Sequence, residues 1–214
     1  MAHKTIKVLL VDDHVIVRNG VRLMLGEADD IRVEGEADTA QRALQLAREQ
    51  AFDVALVDIA LPDRNGLDVL KLLRAERPKL AVLILSTYAE EIYAMRALKQ
   101  GAAGYLTKDT PADVLIAAVR KAAAGGKHVS PALTEKLVSM MGGGTVASSH
   151  ETLSNRELEV LKRIAAGESL VRIAEALHLS PHTVTTYRTR IMDKMGWSSN
   201  AELTRYAVEN GLVL

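Results

Sequence analysis

The chain has 214 residues, 48 % of them apolar, which is enough for one large domain or two modest ones, each with a buried core. Cysteine is absent, which excludes a disulfide framework and a thiolate metal site and fits a reducing compartment. The 27 basic and 27 acidic side chains cancel, so a case for a nucleic acid partner has to rest on local placement and not on net charge.

Met1-Ala2-His3-Lys4 leads into a strand instead of a signal-peptide core, and no later stretch reaches the roughly 18 apolar residues of a membrane span. A soluble cytoplasmic protein with no membrane partner is the expectation. Short apolar runs then alternate with segments of helical period up to about Gly125, the sequence form of a βαβ series. Val8-Leu9-Leu10-Val11 is the first strand, and Val17, Val21, Met24, Leu25 and Ala28 make the next helical face. Ile31 to Ala37 alternates as an edge strand does, and Ala40, Ala43, Leu44 and Ala47 stripe the second helix. Val54-Ala55-Leu56-Val57 is the third strand. Gly66, Val69, Leu70 and Leu73 stripe the third helix, which Pro78 closes.

Ala81 to Ser86 is a fourth strand, a helix covers about Glu90 to Gln100, and Gly104 to Thr107 is the fifth strand. A last helix turns Leu115, Ala118, Val119 and Ala122 inward. The expected fold is therefore α/β, a doubly wound five-stranded parallel sheet over residues 1–125. Beyond Gly125-Gly126 the pattern breaks, and residues 126–152 read as a linker with a short helix over Ala132 to Met141 and a flexible Gly142-Gly143-Gly144 stretch. Residues 153–214 carry helical period and no strand signal, an all-α domain.

Asp12 and Asp13 end the first strand and Asp58 ends the third. Strands apolar at every position belong inside a parallel sheet, whose ligands sit at the strands' carboxyl ends. The three acids therefore meet at one exposed point, where clustered negative charge calls for a cation, and oxygen-only ligation points to Mg²⁺ rather than zinc. Any one of them alone also serves as a helix cap or turn residue.

Ser86 and Lys108 end the fourth and fifth strands on the same edge. A hydroxyl and an ammonium there are the groups required around a transferred phosphoryl, and a carboxylate can be its nucleophile. Asp58 suits that role because it stands alone, while Asp12 and Asp13 share the metal. Taken singly, Lys108 is also a solvated surface charge, Ser86 a cap, and Tyr105 a core aromatic with its hydroxyl at the surface.

Val11-Asp12-Asp13-His14, Asp58 with Leu61-Pro62 and Gly66, Leu85-Ser86, and Gly101-Ala102-Ala103-Gly104-Tyr105-Leu106-Thr107-Lys108 together resemble the receiver domain of bacterial two-component response regulators, a flavodoxin-like fold, across residues 5–125. The resemblance implies that Asp58 accepts a phosphoryl group from the phosphohistidine of a sensor histidine kinase. By the same resemblance Asp12, Asp13, Asp58 and the backbone carbonyl of Ala60 hold Mg²⁺, Lys108 contacts the phosphoryl group, and Ser86 and Tyr105 form the switch. Ala60 is smaller than the side chains frequent at that position, and fast self-dephosphorylation is the expected consequence.

In the rear half, Ser154 and Glu157 form a capping box ahead of Leu158, Leu161, Ile164 and Ala165, and Gly167 ends that helix. A short helix over Leu170 to Leu177 is followed by the turn His178-Leu179-Ser180. Ser180 then caps a helix opened by Pro181, with Val184, Tyr187, Ile191 and Met195 inward. Its other face carries His182, Thr185, Thr186, Thr189 and Arg190, with Arg188 at the flank and Lys194 near the end. Two helices across a tight turn, the second exposing hydroxyls and guanidiniums, match a helix-turn-helix, although a solvated polar face has the same composition.

Leu153 to Glu157, Ile173 to Leu177, Leu179-Ser180, Thr183-Val184 and Lys194-Met195-Gly196 resemble the LuxR-type helix-turn-helix, so the whole chain resembles a NarL/FixJ-type transcriptional regulator. The resemblance implies base-facing Thr185, Thr186 and Thr189, and duplex DNA with paired half-sites as ligand. It further implies a homodimer paired through a last helix over about Ala201 to Asn210, and RNA polymerase as a further partner. Leu170 stands where Asn is frequent. The residue pattern leaves two rivals: an aspartyl-phosphate phosphatase, which generally needs a second acid at the position Ala60 occupies, and a pseudo-receiver regulated without phosphate.

Overall fold

A computed structural model of the protein describes residues 5–141 and 149–213. It divides into two compact units, 1–143 and 144–214.

The front unit holds a fully parallel sheet of β1 (Ile6–Val11), β2 (Ile31–Ala37), β3 (Val54–Val57), β4 (Ala81–Ser86) and β5 (Gly104–Thr107), in the order β2-β1-β3-β4-β5. Helices α1 (Val15–Gly26), α2 (Ala40–Glu49), α3 (Gly66–Glu76) and α4 (Glu90–Lys99) make the crossovers, and α5 (Ala112–Ala123) follows the last strand. Strand pleating divides the sheet's side chains between two helical layers. Val8, Leu10, Val54, Leu56, Leu83, Leu85 and Leu106 form one core with Val21 and Leu25 of α1 and Leu115, Ala118, Val119 and Ala122 of α5. Leu9, Val11, Ala55, Val57, Val82 and Ile84, all buried, fill the opposite side. The chain reverses direction across the sheet between β1 and β3, the place where a doubly wound sheet opens a crevice at its carboxyl edge.

The segment after α5, expected as linker, is tied to the sheet: His128 N donates to Ala103 O at 2.7 Å and His128 pairs with Gly104 at the β5 edge. A Cβ on Gly104 would lie 2.5 Å from His128 O, so glycine is what permits this approach. α6 (Pro131–Met141) follows and contacts α4. Of the expected linker, residues 142–148 lie outside the described residues.

The rear unit is helical, with α7 (Asn155–Ala165), α8 (Leu170–Ala176), α9 (Pro181–Met195) and α10 (Asn200–Glu209). Its core is Leu158, Leu161, Ile173, Val184, Ile191 and Leu203, all buried. Serines set every helix start. Ser154 and Ser199 close capping boxes with Glu157 and Glu202, while Ser169 and Ser180 accept from Arg172 N and Thr183 N. The inward stripe of α9 differs by one position from expectation: Met192 is buried and Met195 half-buried, because a period of 3.6 residues carries the stripe from Val184 to Ile191-Met192.

Candidate functional site

The register brings the acids together. Val11 pairs with Val57, so the residue after each strand end is an aspartate, and Asp58 N donates to Val11 O at 2.9 Å. Val57 pairs with Ile84 and Ser86 with Thr107, which sets Ser86 and Lys108 at the same carboxyl edge. The loop after Asp58 turns back tightly. Gly66 N donates to Ile59 O at 2.8 Å, and a Cβ on Gly66 would fall 1.8 Å from Asp58 O. No residue with a side chain fits there, so Gly66 fixes how closely α3 approaches Asp58.

Asp12, Asp58 and Ser86 are buried, at 1 %, 2 % and 0 % exposure. Lys108 Nζ bridges the two carboxylates, 2.6 Å from Asp12 Oδ2 and 2.8 Å from Asp58 Oδ2. Burial alone would lower the pKa of this ammonium, but the hydrogen bonds and charges of Asp12 and Asp58 outweigh it and hold the pKa above the ordinary lysine value. Ser86 Oγ donates to Asp58 Oδ1 at 2.9 Å, so both oxygens of Asp58 are oriented. Tyr105 is buried and its Oη donates to Tyr88 O at 2.6 Å. Its phenol is pushed well above its usual pKa, first by burial and then by the Asp58 charge, so it remains a neutral donor.

Asp12, Asp13 and Asp58 converge, and His14 joins them, with one ligand atom from each within 4.8 Å of the others. The point is not exposed as expected: Asp12 and Asp58 are buried directly after internal strands, and only Asp13 and His14 reach solvent. Asp12 Oδ2 and Asp13 Oδ1 are shielded from solvent, and Asp12 Oδ2 faces the Lys108 ammonium. Asp13 Oδ1 lies 2.8 Å from His14 Nδ1. Three carboxylates gathered this closely, with a single lysine between two of them, fit a divalent cation held by oxygen ligands. Ala60 is exposed beside Asp58, and its backbone pairs with Asn65 across the loop. Asp63 in the same loop was not singled out from the sequence. It accepts from Ala40 N at 2.8 Å and Gln41 N at 2.9 Å, anchoring the loop to the start of α2, a contact with no local signature.

In the rear unit α8 and α9 meet across the turn Leu177 to Ser180, where His178 adopts a left-handed φ of 51°. His182, Thr185, Thr189 and Arg190 are exposed along α9, with Thr186 and Arg188 half-buried. The three threonine hydroxyls donate back to Pro181 O, His182 O and Thr185 O. Arg188 Nε donates to Asn200 Oδ1 at 2.8 Å. Lys194 Nζ donates to Glu157 Oε2 at 2.6 Å, so this cation braces the scaffold of the domain.

Residues 8–120 match the model of the response regulator receiver domain, and residues 151–207 match the model of bacterial regulatory proteins of the luxR family. The chain is a two-component response regulator of the NarL/FixJ type. It is 36 % identical to the response regulator GacA of Pseudomonas aeruginosa over 209 residues, spanning 97 % of this chain and 98 % of that protein. It is 32 % identical to the response regulator UvrY of Escherichia coli K12, spanning 97 % and 95 %. Among solved structures, the response regulator ChrA of a heme-sensing two-component system is 32 % identical and covers 98 % of this chain and 99 % of its own, with a TM-score of 0.54. RcsB from Salmonella enterica serovar Typhimurium shares the fold at 24 % identity, covering 95 % and 98 %, with a TM-score of 0.68. A response regulator with a receiver and a LuxR-type DNA-binding domain is a transcription factor that answers to a histidine kinase, and the phosphatase reading is set aside.

Proposed function

We propose that Asp58 is the phosphoacceptor and that its phosphorylation by a sensor histidine kinase controls DNA binding and dimerisation. The observation that carries this reading is the clamp on Asp58, whose two oxygens face Ser86 Oγ and Lys108 Nζ at 2.9 and 2.8 Å. A carboxylate oxygen of Asp58 attacks phosphorus, the P–N bond of the kinase's phosphohistidine breaks, and the electron pair leaves with the imidazole nitrogen. Lys108 and Ser86, already directed at Asp58, move their hydrogen bonds onto the new phosphoryl oxygens. Asp12, Asp13, Asp58 and the Ala60 carbonyl would hold Mg²⁺, which supplies charge neutralisation at the phosphoryl oxygens when bound.

Ser86 and Tyr105 are the switch. Tyr105 already lies inward, bound to Tyr88 O, so phosphorylation tightens an arrangement that the chain can adopt, as expected for a shift between existing states. In the rear unit α9 enters the major groove, with His182, Thr185, Thr186, Thr189 and Arg190 toward the duplex and Arg188 at the flank. Lys194, engaged by Glu157, contributes mainly to the scaffold. The protein acts in the cytoplasm as a homodimer on paired half-sites, with RNA polymerase downstream. RcsB has been determined bound to promoter DNA with the phosphomimetic BeF₃⁻, and as two dimers on two parallel DNAs, which supports this arrangement.

Mass spectrometry after exposure to acetyl phosphate and Mg²⁺ tests the reading: one phosphoryl group is expected, on Asp58, and none in Asp58→Asn. A chain that stays unmodified while still binding DNA would favour the pseudo-receiver reading.

A further inference from the structure

Beside His182 and Arg190, the outward face of α9 carries three threonines, a residue whose hydroxyl can bond the helix backbone instead of a base edge. Thr185 Oγ1 donates to Pro181 O at 3.0 Å, Thr186 Oγ1 to His182 O at 3.1 Å and Thr189 Oγ1 to Thr185 O at 3.2 Å. Each hydroxyl hydrogen is committed to the carbonyl one turn back, and each oxygen is turned against the helix backbone. The γ-methyl is the substituent left to face away from it. Thr185 and Thr189 are exposed and stand one turn apart on one face, about 5–6 Å between their Cβ atoms. That span approaches two base steps at about 3.4 Å each.

A methyl group carries no hydrogen-bond pattern, and its partner in the major groove is the C5-methyl of thymine, the one apolar group that a base edge displays there. We propose that Thr185 and Thr189 are specificity-determining residues that read thymine through methyl-to-methyl contact and not through their hydroxyls. This rests on the reading of α9 as the groove-entering helix and adds the chemistry that helix selects: half-sites with thymines at the two positions under these side chains.

The test starts from a random duplex pool enriched with the full chain after treatment with acetyl phosphate and Mg²⁺. Each thymine of the enriched duplex is then replaced in turn by deoxyuridine, which removes only the methyl. Removal at one or two positions should weaken binding about four-fold each, the value of one buried methyl. Thr185→Val and Thr189→Val, which keep a methyl and lose the hydroxyl, should retain both affinity and the preference for thymine over uracil. Thr185→Ser and Thr189→Ser, which keep the hydroxyl, should bind about four-fold more weakly and no longer distinguish the two bases. Silent uracil at every position, or valine variants that lose binding while serine variants keep it, would overturn the methyl reading alone. A pool that enriches no duplex would overturn the DNA-binding role of α9, and the proposal with it.

Discussion

Lys194 Nζ lies 2.6 Å from Glu157 Oε2, and that same oxygen accepts from Ser154 N at 2.7 Å. One buried carboxylate therefore caps α7 and holds the far end of α9. Burial would raise the pKa of Glu157, but the Lys194 and Ser154 hydrogen bonds outweigh it and hold the carboxyl below its ordinary 4.5. A depressed carboxylate stabilises fully above its unfolded pKa and loses that contribution as pH falls through the folded pKa. Thermal melts of the full chain should accordingly show the rear unit losing stability below about pH 4.5, a loss that Glu157→Gln blunts. At neutral pH that variant should cost about 1–2 kcal/mol, the scale of a lost cap. Lys194→Ala should lower stability by up to about 1 kcal/mol, since the lysine is partly solvated, with little change in the salt dependence of DNA binding. A slope reduced by about one unit would return Lys194 to the phosphate-contacting set.

Lys108 offsets two buried carboxylates at once, Asp12 and Asp58. Lys108→Met leaves them facing each other without a cation and should cost about 3–5 kcal/mol in a chelating buffer. Added Mg²⁺ should recover much of that loss and raise the melting temperature of the variant more than that of the wild type. Equal responses of the two proteins to Mg²⁺ would contradict a cation site at these carboxylates.

Gly66 has no room for a side chain, since its Cβ would meet Asp58 O at 1.8 Å and Ile59 Cα at 2.9 Å. Gly66→Ala has to push α3 away from Asp58. It should cost about 3 kcal/mol or more, at the upper end of overpacking effects, and slow phosphoryl uptake from acetyl phosphate. Uptake at the wild-type rate would show that the loop yields without disturbing Asp58.

Ala60 is exposed next to the buried Asp58, and its side chain is a single methyl that would shield a phosphoryl group on Asp58 less than a larger one would. Phosphorylated protein in Mg²⁺ should hydrolyse quickly, and Ala60→Met should lengthen its lifetime, as followed by phosphate-retarding gel electrophoresis. A wild-type phospho-form that persists for many hours would reject this role.

Where adjacent residues decide the structure, the sequence was enough to read it. Val54 to Val57 ends on Asp58 because a strand apolar at every position can only be internal, and internal parallel strands present their carboxyl ends to one edge. The α3 stripe of Gly66, Val69, Leu70 and Leu73 and the Ser154–Glu157 capping box follow the same local logic and recur in the structure. What escaped was set by distant partners. Lys194 reads as one more cation of the polar face, and its ion pair with Glu157, 37 residues away, has no signature in the sequence. Asp63 reads as an ordinary loop acid until the open end of α2 arrives beside it. The segment around His128 carries no strand pattern of its own and joins the sheet only because Gly104 leaves space for it. His14 enters the acidic cluster through the turn that follows β1, where its backbone N donates to Asp12 Oδ1 at 2.8 Å.

The most direct measurement is the affinity of the full chain for an enriched duplex, with and without acetyl phosphate and Mg²⁺, beside Asp58→Asn treated in the same way. Phosphorylation should tighten wild-type binding by about 5- to 150-fold, the range of a typical coupling free energy, and leave Asp58→Asn unmoved. Identical affinities for the phosphorylated and unphosphorylated wild type, or an equal response in Asp58→Asn, would contradict control of DNA binding through Asp58.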